Sequence, residues 1–265
     1  MRASAATFSL FLAAAGASPA GADLPEVKAS GTLRVIVNLD PRRPEFFADS
    51  ATRPGFDQEV LSGFAALHRL TIAPVHVSGW DALVPALVAG KGDVIAGRFT
   101  ATEARRRQIA FTDEVFPYRL VVITRKPRPV VTTIEQLRKE RIATSKGSAM
   151  VEVLDAAGVP ASARDESFPT GGYLEALRTG KATATVWGVE SAIASRKEDA
   201  DLQLGMFLGP PGMLAYGVRK GDTALLAALN AYIEGIRKTP TWSRLVVKYF
   251  GDDAPEILRK ARSSE

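Results

Sequence analysis

The chain has 265 residues, no cysteine, two histidines and a formal net charge of +5 at pH 7. Without cysteine there is no disulfide, no thiol nucleophile and no lipidated cysteine anchor. The positive surplus is modest and its densest run, Arg105-Arg106-Arg107, is short, which argues against the broad basic stripe of a nucleic-acid binder.

Arg2 followed by the apolar run Ala5 to Ala17 has the composition of an export signal, too short to settle as a membrane-spanning helix. Ala20-Gly21-Ala22 puts small residues at the positions a signal peptidase reads, so cleavage is expected after Ala22, leaving 243 residues. That length suits one large or two smaller domains with real cores.

Thr32 to Leu39 reads as a buried strand, and the helix after it carries Phe56, Val60, Phe64 and Leu67 at helical spacing. A strand over Thr71 to Val77 leads to a second helix with Trp80, Leu83, Val84 and Leu87 on one side, its start marked by the capping-box spacing of Ser78 and Asp81. Asp93 to Gly97 is a further short strand. Alternation of this kind predicts strands sandwiched by helices.

Leu120 to Thr124 is a strong strand former, followed by the proline-bearing stretch Arg125 to Pro129. Helices are expected near Thr133 to Lys139, Ala149 to Ala157 and Gly172 to Thr179, and strands over Arg141 to Thr144 and Thr183 to Trp187. The middle of the chain therefore reads as its own α/β unit. Gly209-Pro210-Pro211-Gly212 interrupts the pattern, and Met213 to Val218 reads as a second crossing strand. Leu225, Leu226, Leu229, Ile233 and Ile236 stripe a long helix, and with Trp242 to Phe250 it needs the first unit to cover its apolar face. Two crossings around an inserted unit predict a hinge and a cleft.

Chemistry-bearing residues concentrate after the Asp93 to Gly97 strand. Thr100 and Glu103 have capping-box spacing, and Thr102 can equally cap the helix that starts there. A carboxylate held at such a start meets spare amides and the fork of Arg105, whereas the plainer alternative makes Arg105 part of a solvated basic turn. His68 falls in a helical pattern and His76 in a strand pattern, so both are expected as ordinary packing or surface residues, with no metal and no cofactor.

Six stretches occur in a familiar order: Gly31-Thr32-Leu33-Arg34-Val35, Gly55-Phe56-Asp57, Trp80 to Asp93, Thr100 to Arg105, Ala110-Phe111-Thr112-Asp113 and Lys248-Tyr249-Phe250-Gly251. Together they closely resemble the family 3 extracellular solute-binding proteins, the polar amino acid receptors of bacterial ABC importers. The resemblance implies an α/β, two-lobed periplasmic binding protein fold with two hinge crossings and a central ligand cleft. Residues 23–121 and 214–251 would form lobe 1, residues 122–213 lobe 2, and residues 252–265 a C-terminal tail. It implies capture of a small carboxylate-bearing solute and delivery to a membrane permease, with no catalytic role; the export signal adds an expected location in the periplasm, and capture between the two lobes of one chain needs only a monomer.

By the same resemblance Arg105 clamps the solute carboxylate, Thr100 joins it, and Lys146-Gly147-Ser148-Ala149 supplies a second-lobe loop in which Ser148 offers an amide and a hydroxyl. Ala149 stands where the family often has another hydroxyl, and two further positions depart from the family. Gly188 stands where an aspartate usually meets the α-ammonium, leaving Glu190 either as its replacement or as a solvated helix-start residue. Arg98 replaces a small or hydroxylated residue, and with Arg105 it could hold two anionic groups. Trp80 and Trp187 are candidate cleft walls or core residues, with Phe46 and Phe47 weaker candidates in a first loop charged by Asp40, Arg42 and Arg43. Two other readings stay open: a sensory or accessory module that docks a separate partner, and an exported enzyme like the cyclohexadienyl dehydratases. For the second, the expected catalytic glutamate falls on Ser191, one place after Glu190.

Overall fold

The computed structural model describes residues 23–38, 45–48, 52–144, 148–169 and 171–263. The predicted export signal (residues 1–22), Asp40, Arg42, Arg43, Lys146 and Gly147 lie outside the described residues. The elements in chain order are α1 (Leu24–Ser30), β1 (Thr32–Val37), α2 (Phe56–His68), β2 (Thr71–His76), α3 (Leu83–Val88), β3 (Val94–Ile95), α4 (Glu103–Arg106), β4 (Ala110–Phe111) and β5 (Phe116–Arg125). There follow α5 (Ile134–Leu137), β6 (Ile142–Ala143), α6 (Ala149–Ala156), β7 (Arg164–Asp165), α7 (Tyr173–Arg178), β8 (Ala184–Gly188) and α8 (Val189–Glu198). The chain ends with β9 (Leu202–Leu214), β10 (Gly217–Val218), α9 (Thr223–Arg237), α10 (Pro240–Phe250) and α11 (Ala254–Arg262).

These form two sheets. The first has strand order β2-β1-β3-β10-β4, parallel across β2, β1 and β3 and antiparallel at β10; the second has order β7-β6-β8-β5-β9, parallel across β7, β6 and β8 and antiparallel at β5 and β9. The chain passes from β4 in the first sheet to β5 in the second and returns through β9 to β10, so the expected two-lobed α/β architecture with two crossings is present. At the crossing the strands are laced together: Phe116 pairs Leu214, Val115 N donates to Leu214 O at 2.9 Å, and Thr112 N donates to Tyr216 O at 2.9 Å.

An aromatic cluster anchors the crossing. Phe56 at the start of α2 meets Phe46, Phe116, Trp242, Tyr249 and Phe250 with centroids 5.3 to 6.1 Å apart. Phe46 and Phe47 are thus buried, not cleft walls as entertained from sequence. Gly55 makes this possible: a Cβ there would lie 2.3 Å from the Phe46 carbonyl carbon, so only glycine lets the two backbones touch.

Local expectations fail where tertiary context intervenes. Leu67 lies 66% exposed, because the buried stripe of α2 runs through Phe56, Asp57, Val60, Leu61, Phe64 and Ala65. The Ser78/Asp81 capping box does not form: α3 starts later, with Ala82 at its N-cap, and Trp80 sits in the preceding turn. Gly209-Pro210-Pro211-Gly212 does not end a strand. It is a bulge inside β9, where Leu208 pairs Leu120 and Gly212 pairs Tyr118, and prolines fit there because β9 is the sheet's edge. Residues 254–262, read from sequence as tail, form α11, which buries Ala254, Leu258 and Ala261, while Arg119 donates to Ser263 O at 2.6 Å.

Asp23 opens the described chain and caps two helices. Its carboxylate accepts from Leu24 N at 2.8 Å, Leu225 N at 2.7 Å and Ala224 N at 3.1 Å, tying α1 to the start of α9. Burial works against the charge, but the three amide bonds prevail and hold this carboxyl below its usual 3.8. Asp23→Ala should cost about 1–2 kcal/mol near neutral pH. A depressed carboxyl stabilises above its unfolded pKa and loses that contribution as pH falls through the folded one. The gap between variant and parent in denaturant melts should therefore close below about pH 4; a gap that persists in acid would assign the loss to packing.

Candidate functional site

The site grows from the turn after β3. Gly97 and Arg98 have φ of 84° and 63°, a conformation glycine adopts freely and arginine at a cost. Asp57, on the inward face of α2, holds the turn: its Oδ2 accepts from Gly97 N at 2.9 Å and Arg98 N at 3.3 Å, and its Oδ1 accepts from the Tyr216 hydroxyl at 3.1 Å. Burial pushes the Asp57 carboxyl up to about 6, against the opposite pull of those hydrogen bonds and of the Arg98 charge.

Arg98 leaves this turn and reaches the second lobe. Its Nη1 donates to Ser191 Oγ at 3.0 Å, and Ser191 Oγ in turn donates to Glu190 Oε1 at 3.0 Å. The Arg98 guanidinium lies 5.7 Å from the Trp80 ring centroid, which gives Trp80 its place beneath a cation as well as against the packed residues of α3.

Glu190 is 4% exposed, which excludes the solvated helix-start reading. Its carboxylate folds back over Gly188, where an added Cβ would lie 2.3 and 2.4 Å from its two oxygens. Gly188 therefore contributes room, and the carboxylate arrives from two residues on. Ser191 is buried as well, with a hydroxyl engaged by Arg98 and Glu190 at the position where a dehydratase-like enzyme needs a carboxylic acid.

Arg105 lies on the same side as Arg98. Its Nη1 donates to Thr100 O at 2.8 Å and its guanidinium covers the Phe99 ring at 4.3 Å. Burial pulls its pKa down, opposed by Tyr118. The cap of α4 is Thr102, whose hydroxyl accepts from Arg105 N, whereas Thr100 forms a bridge to Leu214 of the crossing strand. The solvated-turn reading fits Arg107, which is exposed, better than Arg105.

Sequence reasoning missed Tyr118, on β5. Its hydroxyl pKa is pushed up by burial and by the Glu190 charge and pulled down by Arg105 and Arg98, so all three charged groups converge on it. The available signal was its position two residues into the crossing strand after Phe116. Ser148 stands at the N-cap of α6, half-buried, its hydroxyl 3.3 Å from that of Thr144. Trp187 meets Tyr173 edge-on at 5.5 Å and lines a groove with Glu45, Leu174 and Glu198.

His68 lies against Phe64 in a tilted ring contact at 4.6 Å and His76 is exposed on β2, so each has an ordinary setting. Two guanidinium groups, one carboxylate, a phenol, a serine hydroxyl and an indole thus meet where the crossing strands join the lobes. This is equipment for holding a small polar solute by charge and hydrogen bonds.

Known proteins share this fold. A probable histidine-binding protein of Neisseria gonorrhoeae is 27% identical over 258 residues, covering 94% of both chains. A membrane-bound lytic murein transglycosylase F of Desulfosudis oleivorans is 24% identical over 221 residues, 82% of this chain, which spans only 48% of that relative. Among solved structures, a mutant of ArgBP from T. maritima superposes with a TM-score of 0.69 at 26% identity, covering 86% of this chain and 99% of that one. The profile of one family spans residues 33–252, from β1 to the end of α10, and with it both sheets, both crossings and the site: the chain belongs to the bacterial extracellular solute-binding proteins, family 3.

Proposed function

We propose that this protein is the solute receptor of an ABC importer, and that it captures a small carboxylate-bearing solute, an amino acid or a related organic anion, by closing lobe 2 over lobe 1. Lobe 1 comprises residues 23–121 and 214–251, and lobe 2 residues 122–213. Periplasmic placement accords with the family; removal of residues 1–22 as a signal peptide, action as a monomer and delivery to a membrane permease complete the reading. N-terminal sequencing of exported protein should begin at Asp23.

The observation that carries the reading is the half-buried Arg105 guanidinium, fixed by Thr100 O and the Phe99 ring beside the crossing. A charge-assisted bond from such a group contributes about 1.5–3 kcal/mol. Arg105→Ala should therefore weaken solute binding by at least about tenfold, measured by calorimetry after a thermal-shift screen of unfolded and refolded, ligand-free protein against amino acids and small organic anions. Unchanged affinity would remove Arg105 as the clamp. Solute contacts from both lobes exist only in the closed form, so binding should also shift an open-to-closed equilibrium.

A further inference from the structure

The last helix lies over the joint between the lobes. We infer that α11 is a brace across the hinge that restrains the opening of lobe 2 from lobe 1; the inference rests on the lobe closure of the receptor reading and on no particular solute.

A helix of nine residues is too short to hold its shape alone, so the surface it covers fixes its place. Ala254, Leu258 and Ala261 recur at helical spacing and are buried, while Glu256 pairs with Arg259 and Lys260 on the exposed side. The surface under α11 belongs to both lobes. It packs against α10 of lobe 1, α8 of lobe 2, and β5 and β9, the strands through which the chain crosses.

Polar contacts fasten each end. At the start, Asp253 pairs with Arg196 of α8, and beside it Lys197 of α8 donates Nζ to Lys248 O of α10 at 2.8 Å. At the other end, Arg262 donates to Glu114 Oε1 from Nε at 2.9 Å and from Nη2 at 2.8 Å, and the same oxygen accepts from Arg237 of α9 at 3.2 Å. Arg119 of β5 donates to Ser263 O at 2.6 Å and to Gly209 O in the β9 bulge at 2.9 Å. The helix is thus tied to lobe 2 at its start, and to lobe 1 and the crossing strands at its end.

Hinge rotation changes backbone dihedrals in the crossing strands and slides whatever is packed on them. With α11 in place, opening has to part a close-packed helix from one lobe and expose its apolar stripe. Ion pairs at exposed positions contribute little on their own. The restraint therefore comes from packing, and the pairs at the two ends set where the helix lies. Without α11 the solute-free protein should open further, which changes the population ready to close on a solute.

The chain has no cysteine, so introduced thiols take spin labels without competition. Leu67→Cys with Arg178→Cys, and Val88→Cys with Lys139→Cys, each put one label on an exposed position of either lobe. Interlobe distances are read by pulsed electron spin resonance on solute-free protein, in the chain from Asp23, in the same chain ending at Asp252, and in Asp253→Ala/Arg262→Ala. Ending at Asp252 keeps the whole span of the family profile. The shortened chain should give a broader distribution in at least one label pair, with a mean longer by more than about 2 Å; the double variant should move the same way by less. Distances that match the full chain in both pairs would overturn the inference. If circular dichroism shows that the shortened chain does not fold, the double variant decides by direction: a longer, broader distribution supports the brace, and an unchanged one overturns it. None of these outcomes bears on the receptor reading, which fails instead if no solute shifts either the distances or the Tm of the full chain.

Discussion

Phe56→Ala should destabilise the protein by about 3–5 kcal/mol, seen as a lower denaturation midpoint at an unchanged m-value. Phe56 is fully buried and its ring touches five other aromatic rings. Truncation therefore leaves a cavity walled by rigid rings that have little freedom to collapse into it. Phe116 is one of those walls and begins the crossing strand β5, so the loss falls on the joint between the lobes. Phe56→Leu, which keeps most of the buried volume, should lose markedly less. A loss under about 1 kcal/mol for Phe56→Ala would mean that the cluster repacks and that Phe56 is not its centre.

The second large effect is expected at Asp57. Asp57→Ala strips acceptors from Gly97 N, Arg98 N and the buried Tyr216 hydroxyl. Leaving such donors unsatisfied costs about 1–3 kcal/mol each where no water replaces the acceptor. The turn that presents Arg98 should then loosen, and solute affinity should fall together with stability. The pH signature is distinctive. Burial raises this carboxyl from 3.8 to about 6, so the folded protein holds a proton that the unfolded chain has already released between those values. Its favourable contribution is complete below 3.8 and is lost as pH rises through about 6, a change on the order of 3 kcal/mol. The stability difference between the parent and Asp57→Asn should vary across that window and be flat above it. A difference independent of pH would show that Asp57 titrates at its ordinary value.

Periodicity read along the chain located most of the strands and helices, because burial on one face imposes the same spacing wherever it occurs. The stripe Phe56, Val60, Phe64 is the clearest case: residues that must face one core repeat at the pitch of the helix, and α2 buries all three. Leu67 continued the arithmetic but not the burial, since where a stripe ends depends on the neighbour it faces. Gly209-Pro210-Pro211-Gly212 shows the same limit from the other side. Its residues break strands in isolation, yet an edge strand needs only one row of hydrogen bonds, and β9 carries them as a bulge.

At the site, Thr102 as a cap and Arg105 as a clustered arginine were legible because caps and helical neighbours are a few residues apart. The sequence by itself therefore determined the alternating α/β order, the two crossings and the group of residues 98–105. Only the tertiary structure decided that Arg98, 93 residues away in sequence from Ser191, spans the lobes to meet it, that Glu190 folds over Gly188, and that Trp187 turns to Tyr173. The physical reason is that helical and strand periodicity report which face of an element is buried, whereas which charges meet across a cleft depends on how two separately folded sheets are set against each other.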